Sequence, residues 1–209
     1  LGDVYKRQVA TFGREPGSRY RCLCHKEGRE GDRFVHFFAK VEDVRTKSLQ
    51  GHGYDYDFGL NIDIFPMDGK PESAELQKKR ERQLTHWSHR LNICGTRFDL
   101  LNFHQPLFSK IEAHLRGAEH WWKLINEEVL KYPYESSRLV GAVSVTYNGT
   151  REIFERAMLD EYVDLEFEGC TFKAFKRWNE WLTQEFGDYM TPPPEGRRKC
   201  HDLTVYLLD

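Results

Sequence analysis

The chain has 209 residues, a formal net charge of −2 at pH 7, and 14 Phe, 10 Tyr and 5 Trp residues. A chain of this length can bury a sizeable core as one domain, and its many aromatic residues exclude an intrinsically disordered protein. Acidic and basic residues are interspersed, whereas a general nucleic-acid-binding protein carries a basic stripe. No apolar run approaches the roughly 20 residues of a membrane span and no signal peptide is recognised, so we expect no nucleic-acid partner and at most peripheral membrane contact.

The cysteines are odd in number and scattered, at positions 22, 24, 94, 170 and 200. Such a set does not predict a disulfide framework, and reduced thiols are typical of a cytoplasmic protein. One residue separates Cys22 from Cys24, whereas the paired cysteines of a zinc site are usually separated by two to four residues, so no zinc site is predicted.

The N-terminal part predicts loops and one strand. Residues 1–8 (LGDVYKRQ) resemble translated sequencing-adapter text, so we exclude them and treat residues 9–209 as a single domain. Residues 9–33 are polar and predict loop, with a short strand near residues 20–23. Residues 34–41 alternate as in a strand, with Val35, Phe37, Ala39 and Val41 on one face and Phe34, His36, Phe38 and Lys40 on the other.

The next strand carries the most informative residue of the chain. After a predicted loop over residues 50–58, the apolar residues at 60, 62 and 64 alternate with Asn61, Asp63 and Phe65, which predicts a half-buried strand. Pro66 ends this strand, and residues 67–69 predict a turn. A carboxylate in mid-strand is costly to bury unless it is paired, hydrogen-bonded or bound to a metal, so Asp63 is a candidate site residue. The alternative is an edge strand with one solvated face, where Asp63 is merely hydrated.

Two helical regions follow. Ser73 is a suitable N-cap for a helix that runs to about Ile93, and residues 106–132 predict a second region that Gly117 breaks or bends. His86 and His89 are predicted to be solvated or structural, since no third metal ligand is in view. The residues expected to form core or helix-packing faces are Leu76, Leu84, Trp87, Leu91, Trp121, Trp122, Leu124, Ile125 and Leu130.

The C-terminal third predicts a mixture of strands and helices. Residues 138–145 favour a short strand and residues 151–160 a short helix. Apolar and acidic residues alternate over residues 163–168, Gly169 turns the chain and residues 170–174 return, which predicts a β-hairpin.

A short helix and a basic segment close the chain. The helix over residues 179–186 is predicted to end at Gly187, and the prolines at 192–194 forbid its continuation. The basic segment at residues 197–201 is either a solvated tail or a phosphate contact, to which arginine geometry is suited.

Three stretches resemble motifs of the LicD family, the bacterial phosphorylcholine transferases. Residues 62–69, Ile-Asp-Ile-Phe-Pro-Met-Asp-Gly, closely resemble that family's Ile-Asp-Ile-Phe-Pro-Leu-Asp-Gly motif. A second set is similar to its C-terminal signature, and a third, weaker set lies upstream. The second set comprises residues 167–169, 172–174, 178–182, 186–190 and 192–193, and the third comprises residues 37–40 and 43–46. The sets occur in the family's order and span roughly residues 34–201.

This resemblance implies an α+β, nucleotidyltransferase-like fold, a mixed sheet with packed helices. Its carboxylates lie on neighbouring strands and bind a divalent metal, Mg²⁺ or Mn²⁺, and Asp63 matches the third of them. The other two belong to an Asp-rich motif after a Gly-Gly turn, which is absent upstream of Asp63 in this chain. We therefore expect the N-terminal part of the fold to be missing and the chain to lack transferase activity alone.

The resemblance also implies a reaction and its partners. A CDP-choline-like donor would pass phosphorylcholine to a sugar hydroxyl of a surface glycan, such as lipopolysaccharide or teichoic acid, and CMP would leave. Asp63 would be the catalytic residue and metal ligand. The substrate-binding candidates are Lys40, Glu168, Asp188, Arg197 and Arg198.

Each substrate-binding candidate has a structural alternative. Lys40 could be an ordinary surface lysine, while Glu168 and Asp188 could only shape turns. The C-terminal signature is predicted to fold against the Asp63 strand as one wall of the donor site, and the strand over residues 34–41 to pair with the Asp63 strand. The rival functions are a non-catalytic glycan- or protein-binding remnant and a transferase of another nucleotide-activated phospho-alcohol.

Overall fold

The computed structural model describes residues 17–25, 34–50, 58–96, 106–143, 149–198 and 203–208. The α-helices in these residues are α1 (Ala74–Cys94), α2 (Leu107–Arg116), α3 (Ala118–Val129) and α4 (Trp178–Phe186). The strands are β1 (Tyr20–Leu23), β2 (Ala39–Asp43), β3 (Thr46–Gln50), β4 (Asn61–Ile64), β5 (Met67–Lys70), β6 (Leu139–Ala142), β7 (Ile153–Glu155), β8 (Tyr162–Phe167), β9 (Cys170–Phe175) and β10 (Leu203–Leu207). Predictions for residues 1–16, 26–33, 51–57, 144–148 and 199–202 lie outside the described residues.

The strands form small sheets in the orders β1-β2-β4, β3-β10, β5-β6-β7 and β8-β9. The α+β class is confirmed. Every strand pair in the described part of the chain is antiparallel, so the mixed sheet that the resemblance implies is not seen there. The site depends on the first sheet, in which β2 is central and β4 lies at one edge.

The helices predicted from Ser73 to about Ile93, over residues 106–132 and over residues 179–186 are confirmed in their main features. The Ser73 hydroxyl accepts a hydrogen bond from the Leu76 amide at 3.4 Å, which satisfies one of the unpaired amides at the start of α1. Gly117 separates α2 from α3 with φ 76°, a conformation that costs glycine little. The main core lies between α1, α3 and the first sheet, and its largest members include Leu23, Phe34, Phe37, Leu91, Trp121 and Ile125.

The predicted turn at residues 67–69 is wrong, because these residues belong to β5. Pro66 cannot donate to the ladder of β2, but its φ suits extended chain, so the chain passes straight into the next sheet. There Met67 pairs with Ala142 of β6. A Cβ on Gly69 would lie 2.1 Å from the Ser137 hydroxyl, so this glycine allows a close approach of chain segments rather than a turn.

Two further predictions need correction. Residues 151–160 form β7 between two short 3₁₀ segments rather than a helix, because pairing with β6 buries Phe154 to 1% exposure. This tertiary pairing outweighs local helix preference. The strand predicted over residues 34–41 begins only at Ala39. Residues 34–38 have no strand partner in the β1–β2–β4 registers, although Phe34 and Val35 are buried in the core.

Candidate functional site

A lysine and a carboxylate meet on adjacent strands of the first sheet. Lys40 of β2 lies directly opposite Asp63 of β4 in the antiparallel register. The Lys40 ammonium donates to Asp63 Oδ1 at 2.5 Å and to Asn61 Oδ1 at 3.1 Å. The predicted pairing of these strands, with Lys40 and Asp63 on one face, is therefore confirmed.

Burial distinguishes the two partners. Lys40 is only 7% exposed, so it is not an ordinary surface lysine. Its ammonium lies 5.2 Å from the ring centroid of Phe38 and 5.3 Å from that of Phe58, within the range of cation–π attraction. The Asp63 side chain is one-third exposed, at 33%. The site thus holds a desolvated cation behind a carboxylate that faces solvent.

Asp63 also occupies the edge position that we considered as its alternative. β4 is the outer strand of its sheet in the described part of the chain. The apolar face of this strand is the more exposed one, since Ile62 is 68% exposed and Leu60 is 51% exposed. The alternation therefore predicts which residues share a face, but not which face is covered.

An aromatic pair extends the same face of the sheet. Phe65 follows Asp63 by two residues, and its ring centroid lies 4.8 Å from that of Phe38, with the planes inclined at 43°. Phe65 is 43% exposed. One edge of the candidate site is therefore an accessible aromatic ring beside a carboxylate.

The neighbouring carboxylates of β2 have structural partners. Glu42 is 1% exposed, pairs with Arg21, and accepts the Gly59 amide at 2.7 Å. Asp43 accepts from Arg19 Nε at 2.8 Å, which, with the Arg45 amide, lowers the pKa of Asp43 to about 2.

The turn after β2 holds the start of β4 in place. The Thr46 hydroxyl donates to the Asp43 carbonyl at 2.8 Å and accepts the Leu60 amide at 2.7 Å. A Cβ on Gly59 would lie 2.2 Å from that carbonyl, so the chain needs a glycine here. Residues 43–46 of the weaker motif thus position the Asp63 strand.

Sequence reasoning missed the second half of the main motif. Asp68 is 4% exposed and Lys70 is 9% exposed, and the Lys70 ammonium donates to the Ala142 carbonyl at 2.6 Å. Burial, followed by the nearby guanidinium of Arg80, lowers the pKa of Lys70 to about 8. Arg80 in turn donates to the carbonyls of Gly69 and Glu128, at 3.2 Å in each case. The available signal was the second aspartate of the motif, only five residues after Asp63.

The C-terminal candidates lie in exposed turns. Glu168 has φ 53° at the tip of the β8–β9 hairpin, followed by Gly169 with φ 74°. The Asp188 carboxylate accepts the Thr191 amide at 3.3 Å. Arg198 Nε donates to the Pro193 carbonyl at 3.0 Å. Arg197 ends a short 3₁₀ segment and is exposed.

Helix α4 of this region contacts β7, which belongs to a different sheet from the Asp63 strand. Gln184 of α4 donates to the Ile153 carbonyl at 2.6 Å, and Trp181 stacks on Phe154 with ring centroids 5.4 Å apart. The structure therefore brings Lys40 and Asp63 together, but these contacts do not join Glu168, Asp188, Arg197 or Arg198 to them. The wall that we predicted from the resemblance stays a prediction.

A divalent metal does not fit the described residues by themselves. No group of three His, Cys, Asp or Glu side chains with metal-binding geometry occurs among them. Asp63 contributes one carboxylate, and its Oδ1 already accepts the Lys40 ammonium. In the described residues, no helix combines the length and apolar character needed to cross a bilayer.

The described residues thus define an α+β protein with a lysine–carboxylate pair on adjacent strands, beside an exposed aromatic ring. The chain is a distant homologue of the lipopolysaccharide cholinephosphotransferase LicD of Haemophilus influenzae. It is 27% identical to that protein over 219 residues, which cover 99% of this chain and 77% of the longer relative. No protein-family model matches the chain. No solved structure matches it either.

Proposed function

We propose that the chain is a LicD-type phosphotransferase of nucleotidyltransferase-like fold. It would act in the cytoplasm and move phosphorylcholine, or a related phospho-group, from a CDP-activated donor to a sugar hydroxyl of a cell-surface glycan. The observation that carries the proposal is the Lys40–Asp63 pair, because it joins Asp63 of the main motif to Lys40 of the weaker upstream motif. Homology over nearly the whole chain supports the same activity.

Lys40 is suited to hold the phosphate of the donor. An ammonium group has three N–H donors, and two of those on Lys40 are used by Asp63 and Asn61. A phosphate oxygen can accept the third. Burial strengthens this interaction, because the surrounding rings exclude water and lower the local dielectric. Lys40 would thereby offset negative charge on the phosphoryl group during transfer.

The transfer makes one bond and breaks one. The sugar oxygen attacks the phosphorus that carries the choline ester, the bond from this phosphorus to the bridging oxygen breaks, and CMP leaves with that oxygen. The proton of the sugar hydroxyl needs an acceptor. Asp63 is the candidate, because its Oδ2 accepts no hydrogen bond from the described residues and is left for a proton or a metal ion.

Mg²⁺ or Mn²⁺ stays an expectation drawn from the resemblance, with Asp63 as one ligand. The described residues do not complete such a site, so no step of the transfer is assigned to a metal. We also keep Glu168, Asp188, Arg197 and Arg198 as proposed substrate-binding residues, which would require their turns to approach the Lys40–Asp63 pair.

Contact with a membrane surface would suit an acceptor such as lipopolysaccharide, which the relative's name gives for that protein. Helix α2 carries an apolar stripe that faces outward. Phe108 and Leu115 are 74% and 83% exposed, and Leu107 and Ile111 lie beside them at 51% and 46%. We propose that this stripe contacts the lipid surface.

Donor affinity is the sharpest test of the proposed function, because it does not depend on a complete metal site. We expect CDP-choline to bind the chain in competition with CMP, as measured by calorimetry. Lys40→Met should weaken binding by about tenfold or more, the scale of a lost charged hydrogen bond. Lys173→Met is a matched control, since Lys173 forms the equivalent cross-strand pair with Asp164 at 2.7 Å in the exposed hairpin.

The rival class gives a different result in the same experiment. If neither CDP-choline nor CMP binds, while a purified lipopolysaccharide oligosaccharide does, the chain is a glycan-binding module and the transferase proposal fails. Equal affinity of wild type and Lys40→Met for CDP-choline would remove Lys40 from the site.

A further inference from the structure

The aromatic pair Phe38–Phe65 lies beside the Lys40–Asp63 pair, and Phe65 has no part in the proposed phosphate contact. Residues 38 and 65 continue the β2–β4 register, in which Ala39 faces Ile64 and Lys40 faces Asp63. Their ring centroids are 4.8 Å apart. Phe65 keeps 43% of its surface exposed, although a ring of this size is usually buried in a core.

The backbone holds the Phe65 ring on the side of Asp63. A residue before proline is restricted to extended conformations, and Pro66 follows Phe65 directly. The chain therefore stays extended from Asp63 to Phe65, and the two side chains project from the same face. Their Cα atoms are then about 7 Å apart along the strand.

Ring faces in this site already stabilise one cation. The Lys40 ammonium lies 5.2 Å from the Phe38 centroid and 5.3 Å from the Phe58 centroid. Its charge is offset by Asp63, so a second cation near Phe65 meets a paired lysine rather than an isolated positive charge. A quaternary ammonium group is weakly hydrated and is recognised in proteins by aromatic faces of this kind.

We propose that Phe65, supported by Phe38, binds the trimethylammonium group of the donor and gives the site its preference for choline. The proposal rests on the proposed function, since it assumes that a choline phosphate occupies the Lys40–Asp63 site. With the phosphate at Lys40 and the ammonium at Phe65, the two-carbon arm of choline spans a separation comparable to that along the strand. Phe65 is thus a specificity-determining residue.

A neutral analogue separates cation recognition from general apolar contact. The CDP ester of 3,3-dimethylbutan-1-ol has the shape of CDP-choline but a carbon in place of the charged nitrogen. Wild-type protein should bind CDP-choline about two- to fivefold more tightly than this analogue, the range of a cation–π contact at an exposed site. This comparison needs no variant, so it stays decisive whatever a substitution does to folding.

Variants then locate the preference. Phe65→Leu should reduce the preference to near one while keeping affinity for the neutral analogue and for CMP. Phe65→Tyr keeps a ring and should keep the preference. Ile62→Ala removes an exposed apolar side chain from the opposite face of the same strand, so it should change neither affinity.

The outcomes distinguish failure of this inference from failure of the proposed function. If wild type binds CMP, CDP-choline and the neutral analogue, but the last two equally, the nucleotide-donor function stands and the cation subsite is wrong. A preference that Phe65→Leu retains in full would place the subsite elsewhere. If none of the three ligands binds, the proposed function falls, and this inference falls with it.

Discussion

Burial decides how much the charges of Lys40 and Asp63 contribute to stability. Either side chain on an exposed strand would be a solvated charge with little energetic weight. Here the lysine is desolvated and the carboxylate is its counter-ion, so removal of the carboxylate would leave a buried charge unpaired. The carboxylate therefore stabilises the fold, whatever else it binds.

Lys70 gives a pH dependence whose sign differs from that of a surface lysine. Burial lowers its pKa from 10.5 to about 8, so between these values the unfolded chain binds a proton that the folded chain does not. Stability from this group therefore rises as pH increases through that window, and the full penalty of the buried charge applies below it.

We expect the free energy of unfolding of wild type, minus that of Lys70→Met, to rise between pH 8 and pH 10.5. Urea titrations across that range measure this difference. Subtracting the variant cancels the contributions of other groups that titrate in the same range. Lys78→Met, at an exposed lysine of α1, is the matched control. A flat difference for Lys70→Met would mean that Lys70 keeps its proton in the fold.

At the scale of elements, helix boundaries could be predicted from the sequence, whereas the pairing of distant strands could not. Ser73, Gly117 and Gly187 mark helix boundaries because caps and positive φ depend on local residues. The strand at Ile153 was missed because only its pairing with β6, distant in sequence, stabilises it.

The candidate site divides in the same way. The alternation of β2 and β4 predicts that Lys40 and Asp63 share a face, and the register confirms it. The buried group around Asp68 and Lys70 was not predicted, because it is assembled with Arg80 of α1. Arg80 lies ten residues after Lys70 in the sequence, and only the packing of α1 brings the two side chains together.

The β8–β9 hairpin carries strain at a candidate residue. Glu168 has φ 53° and Gly169 has φ 74°, the signs that a two-residue type I′ turn requires, for which Asn-Gly is preferred over Glu-Gly. Glu168→Asn should stabilise the protein by about 0.5–1 kcal/mol and raise Tm by about 1–4 °C, measured by calorimetry. An unchanged or lower Tm would show that Glu168 makes a stabilising contact.

The same variant tests the substrate role that the resemblance implies for Glu168. A loss of CDP-choline affinity alongside a higher Tm would support that role, because the strained carboxylate would then be kept for binding. Unchanged affinity would leave Glu168 as a turn residue. Asp164→Asn, on the same hairpin and exposed, controls for the loss of one carboxylate.

For the whole molecule, the main motif links two sheets. Asp63 lies at the edge of one sheet, Pro66 carries the chain across, and Asp68 enters the next among buried charges. The Lys40–Asp63 pair therefore rests on a chain segment held at both ends, by Thr46 and Gly59 before it and by Lys70 and Arg80 after it. We therefore expect this segment to keep its position when a ligand binds.

Helix α2 differs from the core helices α1 and α3, because it directs apolar side chains outward. Leu107, Phe108, Ile111 and Leu115 recur at the spacing of one helical face, and the two most exposed are Phe108 and Leu115. An exposed apolar patch of this kind marks an interaction surface. If it contacts lipid, the protein should co-sediment with vesicles of phosphatidylethanolamine and phosphatidylglycerol, and the double change of Phe108→Ser with Leu115→Ser should weaken partitioning by about tenfold or more.

A double change of the same two residue types on the hairpin, Leu165→Ser with Phe172→Ser, alters side chains that are 39% and 54% exposed and should leave partitioning unchanged. Equal loss in both doubles would mean that vesicle binding follows overall hydrophobicity rather than α2. Sedimentation velocity without vesicles tests whether the stripe instead contacts a second copy of the chain. If wild type dimerises with concentration and the α2 double remains monomeric, a second copy covers the stripe and the lipid contact is wrong.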